Sequence, residues 1–69
     1  MTHIGQMRIG TRIKLARVKR NVTQSDLAQR AELSQAYLSQ IENGDRTPSA
    51  EMAEAIGRAL GCDLESDSW

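Results

Sequence analysis

An all-α fold is predicted for this chain, and three observations predict it. Apolar residues recur at three- and four-residue spacings, with no stretch of alternating polarity and no repeat. Thr23 and Ser34 stand ahead of apolar-periodic segments as helix N-caps, while Gly44 and Gly61 lie at the ends of such segments. Tyr37 and Trp69 are the only aromatic residues, so the core must be aliphatic. The 69 residues suit one small domain, 1–69, with its core at about 7–64 and a short tail at 65–69. A domain of this length buries a limited core and must pack it well.

The first helix is expected from about Met7 to Lys19. At 100° per residue, Ile9, Ile13 and Ala16 fall within about 60° of one another and form an apolar stripe. Arg17 borders that stripe. Leu15 and Val18 lie off it and should be partly exposed. Arg8, Arg12 and Lys19 cluster on another face.

The second helix starts at Thr23. Its hydroxyl can accept from the amide of residue 26, and Asp26 favours the positive helix end. Leu27, Ala28 and Ala31 make the inner face. Glu32 and Leu33 form the turn, with Leu33 filling the angle between helices. Ser34 caps the third helix, expected over Gln35 to Asn43. Gln35, Ala36, Ser39, Gln40 and Asn43 span one arc of about 140° on its wheel. Tyr37, Leu38 and Ile41 occupy the opposite arc, and Glu42 sits at the boundary. Residues 23–43 thus read as two helices joined by a tight turn.

After the loop Asp45-Arg46-Thr47-Pro48, the fourth helix begins near Thr47–Ser49 and ends near Leu60-Gly61. Ala53, Ile56, Gly57 and Leu60 form its inner stripe. Met52, Ala55 and Ala59 make a second apolar flank.

Formal net charge is zero, yet the charges are segregated. Residues 1–31 hold seven basic side chains against Asp26 alone, a net of +6. Residues 32–69 hold two against eight acids, a net of −6. A molecule polarised in this way can turn a basic side to phosphates. No apolar run approaches the roughly 20 residues of a membrane span, and the start MTHIGQMRIG lacks the apolar stretch of a signal peptide. The single cysteine, Cys62, reads as a small buried hydrophobe in a reducing cytoplasm. His3 is the one histidine and reads as a solvated terminal residue. No nucleophile–base pair, metal cluster or phosphate loop is present in the sequence. No catalytic residue, metal or cofactor is therefore expected.

The polar arc of the third helix carries amides and hydroxyls rather than charge. That chemistry suits the major groove of double-stranded DNA, where glutamine can both donate to and accept from adenine.

An ordered set of residues also resembles the lambda-repressor/Cro-type (XRE-like) helix-turn-helix family of bacterial and phage regulators. The set comprises Arg17, then Thr23-Gln24-x-x-Leu27-Ala28, then Leu33-Ser34-x-x-Tyr37-Leu38-Ser39-x-Ile41-Glu42-Asn43-Gly44-x-Arg46-x-Pro48-Ser49. It extends without a gap from about Ile9 to Leu64. The resemblance implies a compact four- to five-helix lambda-repressor-like domain whose third helix reads the major groove.

Residue by residue, the resemblance places Gln35, Ala36 and Gln40 at base-reading positions, with Ser39 a smaller candidate on the same face. It places Gln24, Asn43 and Arg46 at the sugar-phosphate backbone. Tyr37 is expected at the core edge with its hydroxyl near phosphate, and Lys19 and Arg20 as weaker phosphate contacts. Arg17 and Glu42 resemble an internal ion pair between the first and third helices. The sequence departs from the family pattern after Gly61, where a fifth helix is short or missing, and at Ala16, where relatives often carry a larger aliphatic.

The implied function is sequence-specific DNA binding by a transcriptional regulator, with repression the leading mode. One module buries only about 600–1,000 Å² on DNA, so a homodimer on a palindromic operator is expected. The Met52/Ala55/Ala59 flank, with Leu64 and Trp69, is the expected dimer contact. No ligand-sensing domain is expected in a chain of this length. A phage switch protein, a restriction-modification controller and an antitoxin all fit. A helical protein-interaction module on the same fold, with a protein partner, is the alternative.

Overall fold

The computed structural model describes residues 8–64. Its four helices are α1, Ile9–Lys19; α2, Gln24–Arg30; α3, Gln35–Glu42; and α4, Ala50–Leu60. Among the described residues there is no strand. Helix α3 packs against α1 and α2, and α4 closes the other side against the same two helices.

Three helices begin on a hydroxyl that accepts from the backbone N–H three residues on. Thr23 accepts from Asp26 at 3.0 Å, Ser34 from Tyr37 at 3.0 Å and Ser49 from Met52 at 3.1 Å. Each such cap contributes about 1 kcal/mol. The boundaries differ slightly from the sequence reading. Arg8 is the N-cap of α1, without a side-chain cap, and Met7 lies outside the described residues. Asn43 closes α3 rather than belonging to it. Helix α4 starts after Ser49, because that serine must leave helical geometry to cap it.

All four helices end alike. Beyond each helix an N–H returns to the carbonyl five residues back: Val22 to Arg17, Leu33 to Ala28, Asp45 to Gln40 and Cys62 to Gly57. This geometry needs a left-handed residue at each exit. Gly44 (φ 84°) and Gly61 (φ 75°) supply it without strain, whereas Asn21 (φ 56°) and Glu32 (φ 60°) are side-chain-bearing residues there. Asparagine tolerates this region; glutamate does not gain from it.

The core is aliphatic. Ile13, Leu27, Leu38, Ile41 and Ile56 are its largest fully buried side chains, and Ala16 and Ala28 fill the narrow places between helices. Leu33 and Ala31 pack against it from the α2–α3 turn. Leu15 and Val18 are exposed, as their position off the apolar stripe of α1 requires.

The sequence reading is corrected at Leu64. It was expected at a dimer surface, but it is 3% exposed and belongs to the core. The chain turns back after Gly61 and lays Leu64 over Gly57, where a β-carbon would sit 3.8 Å from the Leu64 side chain. Arg12 locks this return by donating from Nη1 to the Leu64 carbonyl at 3.1 Å. No helix follows Leu60 among the described residues. Trp69, His3 and the tail at 65–69 lie outside the described residues.

Gly10 has a role that the helix wheel did not show. A β-carbon there would lie 1.9 Å from the Ile41 carbonyl oxygen. Backbone meets backbone at this point, so α1 can cross α3 this closely only with glycine at position 10.

Two glycine exchanges are therefore expected to act in opposite directions, as read by thermal unfolding. Gly10→Ala should remove about 3 kcal/mol or more, the upper end of over-packing losses, because the obstacle is a carbonyl rather than a movable side chain. A melting temperature within about 4 °C of the native value would refute this close crossing. Glu32→Gly should add about 1 kcal/mol by relieving the left-handed backbone; a fall in melting temperature would contradict that reading.

Candidate nucleic-acid interface

The site is built on α3, and its foundation is an ion pair beneath it. Arg17, at the edge of the apolar stripe of α1, reaches Glu42 near the end of α3. Arg17 Nε donates to Glu42 Oε2 at 2.8 Å and Nη2 to Oε1 at 3.0 Å. The side chains are 13% and 2% exposed. Arg17 Nη1 also donates to the Val22 carbonyl at 3.0 Å, which fixes the loop between α1 and α2. Planar, bidentate pairing of this kind specifies orientation as well as proximity.

Gln24 adds a third donor. Its Nε2 donates to Glu42 Oε1 at 3.3 Å, while its Oε1 accepts from Gln35 Nε2 at 3.5 Å. A continuous path thus runs from Arg17 through Glu42 and Gln24 to Gln35, the first residue of α3. The resemblance placed Gln24 at the sugar-phosphate backbone; in the structure it is half-buried, with one amide end on the ion pair and the other on Gln35. The signal that could have found this was the surplus of acceptor sites on Glu42, which one arginine does not fill.

At the other end of α3 a second group forms. Arg46 Nε donates to Gln40 Oε1. The same guanidinium lies 5.6 Å from the centre of the Tyr37 ring, within cation–π range. Tyr37 is half-buried against the core. The loop after α3 therefore carries its arginine back across the helix rather than into solvent alone.

The remaining candidates are distributed as follows. Gln35, Ala36, Asn43 and Arg46 are exposed, and Ser39 and Gln40 are half-buried. Lys19 is exposed at the end of α1. Arg20, half-buried, donates from Nη1 to the Ala16 carbonyl one turn back at 3.1 Å, satisfying the end of α1. Arg30 is engaged with Asp26 at 2.9 Å, one helical turn away. Arg8, which the sequence reading gave no site role, lines an open cleft with Gly10, Gly44, Arg46 and Thr47. Among the described residues, no group of three His, Cys, Asp or Glu side chains is placed to hold a metal ion. No helix among the described residues is long and apolar enough to cross a membrane.

Two short helices joined by a tight turn, the second buried on one side and polar on the other, define a helix-turn-helix module. A helix-turn-helix family model matches residues 13–66, most of the chain. The chain therefore belongs to the helix-turn-helix family of DNA-binding transcription regulators, a regulatory class rather than an enzyme class. It is 42% identical over 60 residues to the immunity repressor protein of Bacillus phage phi105, covering 87% of this chain and 42% of that protein. It is 39% identical over 51 residues to an uncharacterized helix-turn-helix-type transcriptional regulator of Bacillus subtilis, covering 74% of this chain and 67% of the relative. The crystal structure of the clp gene regulator ClgR from Corynebacterium glutamicum superposes with a TM-score of 0.79 at 30% identity, covering 81% of this chain and 60% of that one. The chain thus spans less than half the length of the phage repressor it matches.

Removing the carboxylate should strand the Arg17 charge in a nearly closed site. Glu42→Ala is expected to cost about 3–5 kcal/mol, a loss of more than about 12 °C in melting temperature for a domain of this size. Calorimetry of the native and variant chains measures it. Unchanged unfolding would show that the pair does not hold α1 to α3.

Proposed function

We propose that this chain is a sequence-specific, double-stranded-DNA-binding transcriptional repressor. It acts as a homodimer on a palindromic operator, with α3 in the major groove. The observation that carries the reading is the exposed, amide-rich face of α3, held from below by the Arg17–Glu42 pair. In this reading Gln35, Ala36, Ser39 and Gln40 face base edges. Gln24, Tyr37, Asn43, Arg46, Lys19 and Arg20 lie along the phosphate backbone, where they set register without reading sequence. The net +6 of residues 1–31 supports approach to a polyanion from that half of the chain.

The dimer contact in this reading is the α4 flank of Met52, Ala55 and Ala59, all half-buried within one chain. Leu64 is not available for it, since it completes the core. Residues 1–69 act as one domain in this reading, and the cellular setting that fits a free Cys62 is a reducing cytoplasm. The similarity to a phage immunity repressor favours repression over activation.

Selection from a random duplex library at physiological salt tests the whole reading. The native protein should recover a two-fold symmetric motif with half-sites about 34 Å apart. A Gln35→Ala/Gln40→Ala variant should fold normally yet lose or relax that motif, since each well-made amide–base contact discriminates by about 1–3 kcal/mol. An asymmetric motif from a chain that stays monomeric by light scattering would sink the dimer. Absence of any motif would move the reading to a protein-interaction module.

A further inference from the structure

We infer that Arg46 sets Gln40 to select guanine, the opposite hydrogen-bond polarity to the adenine pairing that Gln35 offers. The inference rests on the DNA-binding reading above and deepens it from a face to a base preference. Its basis is that the amide orientations are set inside the protein.

A carboxylate only accepts and a guanidinium only donates. Glu42 Oε1 must therefore face the NH₂ of Gln24, as it does at 3.3 Å. That turns the Gln24 carbonyl outward, where it accepts from Gln35 Nε2 at 3.5 Å. One proton of Gln35 is thus committed, and what remains is its carbonyl and one N–H. Adenine is the base whose major-groove edge offers a donor, N6, beside an acceptor, N7.

At Gln40 the constraint has the opposite sign. Arg46 Nε donates to Gln40 Oε1, so one of the carbonyl's two acceptor sites is taken by a cation, whose charge disfavours a base donor at the other, and both amide protons remain free. Arg46 is itself held over the Tyr37 ring at 5.6 Å, which steadies the tie. Two free donors match guanine, the one base whose major-groove edge offers two acceptors, N7 and O6. Arg46 is in this sense a specificity-positioning residue: it acts on the base pair through Gln40.

The experiment is the same library selection, run on the native chain, Gln35→Ala, Gln40→Ala and Arg46→Ala. Each glutamine variant locates its own column of the motif by abolishing it. The Gln35 column should be an A·T pair and the Gln40 column a G·C pair, each preferred by about 10- to 100-fold. Arg46→Ala frees the Gln40 carbonyl, so the Gln40 column should change from G·C to A·T while the Gln35 column stays.

If Arg46→Ala binds too weakly, the selection is repeated at about 50 mM salt, since lost phosphate contacts weaken all sequences alike and low salt restores them. An A·T preference in both native columns overturns the inference. So does a Gln40 column that Arg46→Ala leaves unchanged. A motif without this polarity leaves the DNA-binding reading standing and removes only the inference; no motif at all removes both.

Discussion

The Arg17–Glu42 contact is the constraint on which the rest of this small structure depends. It joins the C-terminal ends of α1 and α3 at a place where both charges have left water. Its net contribution to stability is modest, because desolvation offsets the attraction. What it supplies is geometry. The carboxylate accepts from Arg17 twice and from Gln24 once, so helices α1, α2 and α3 share one acceptor. Seven residues earlier on α1, two helical turns away, Gly10 lies against the Ile41 carbonyl. These two contacts clamp the C-terminal end of α3 and leave Gln35 and Ala36, in its first turn, exposed.

Such clamping matters because the helices are short. Isolated helices below about 12–15 residues are marginal in water, and α2 and α3 have seven and eight. Their ends are therefore managed locally, by hydroxyl caps at the N-termini and returning N–H groups at the C-termini. Their middles are stabilised only by sharing Leu27, Leu38 and Ile41 with the rest of the core. Leu64 belongs to the same solution. With no further helix among the described residues to cover Gly57 and the end of α4, the returning chain covers them with one side chain.

The outward surface obeys a different requirement. Groups that read base edges must be held in one orientation, whereas groups that meet phosphate need only be polar or basic and near. The chain separates the two. Amides and hydroxyls occupy the exposed arc of α3, and most of the positive charge lies in residues 1–31. Buried and exposed hydrogen bonding are joined through Gln24, so the internal ion pair bears on the surface that α3 presents.

Much of the fold was legible in the sequence because its determinants are local. Thr23 and Ser34 announce helix starts, Gly44 and Gly61 announce stops, and the 3.6-residue period separates Ile13 and Leu38 from Leu15 and Gln35. The position of Arg17 and Glu42 at the borders of two apolar faces was legible for the same reason. The sequence alone did not determine that Gly10 must be glycine, that Leu64 turns inward, or that Arg46 returns over Tyr37 to Gln40. Nor did it determine which way each amide points. Those features depend on which carbonyl, carboxylate or guanidinium lies across a gap between elements distant in the chain. Periodicity assigns a residue to a face, but only the packed helices decide what that face meets.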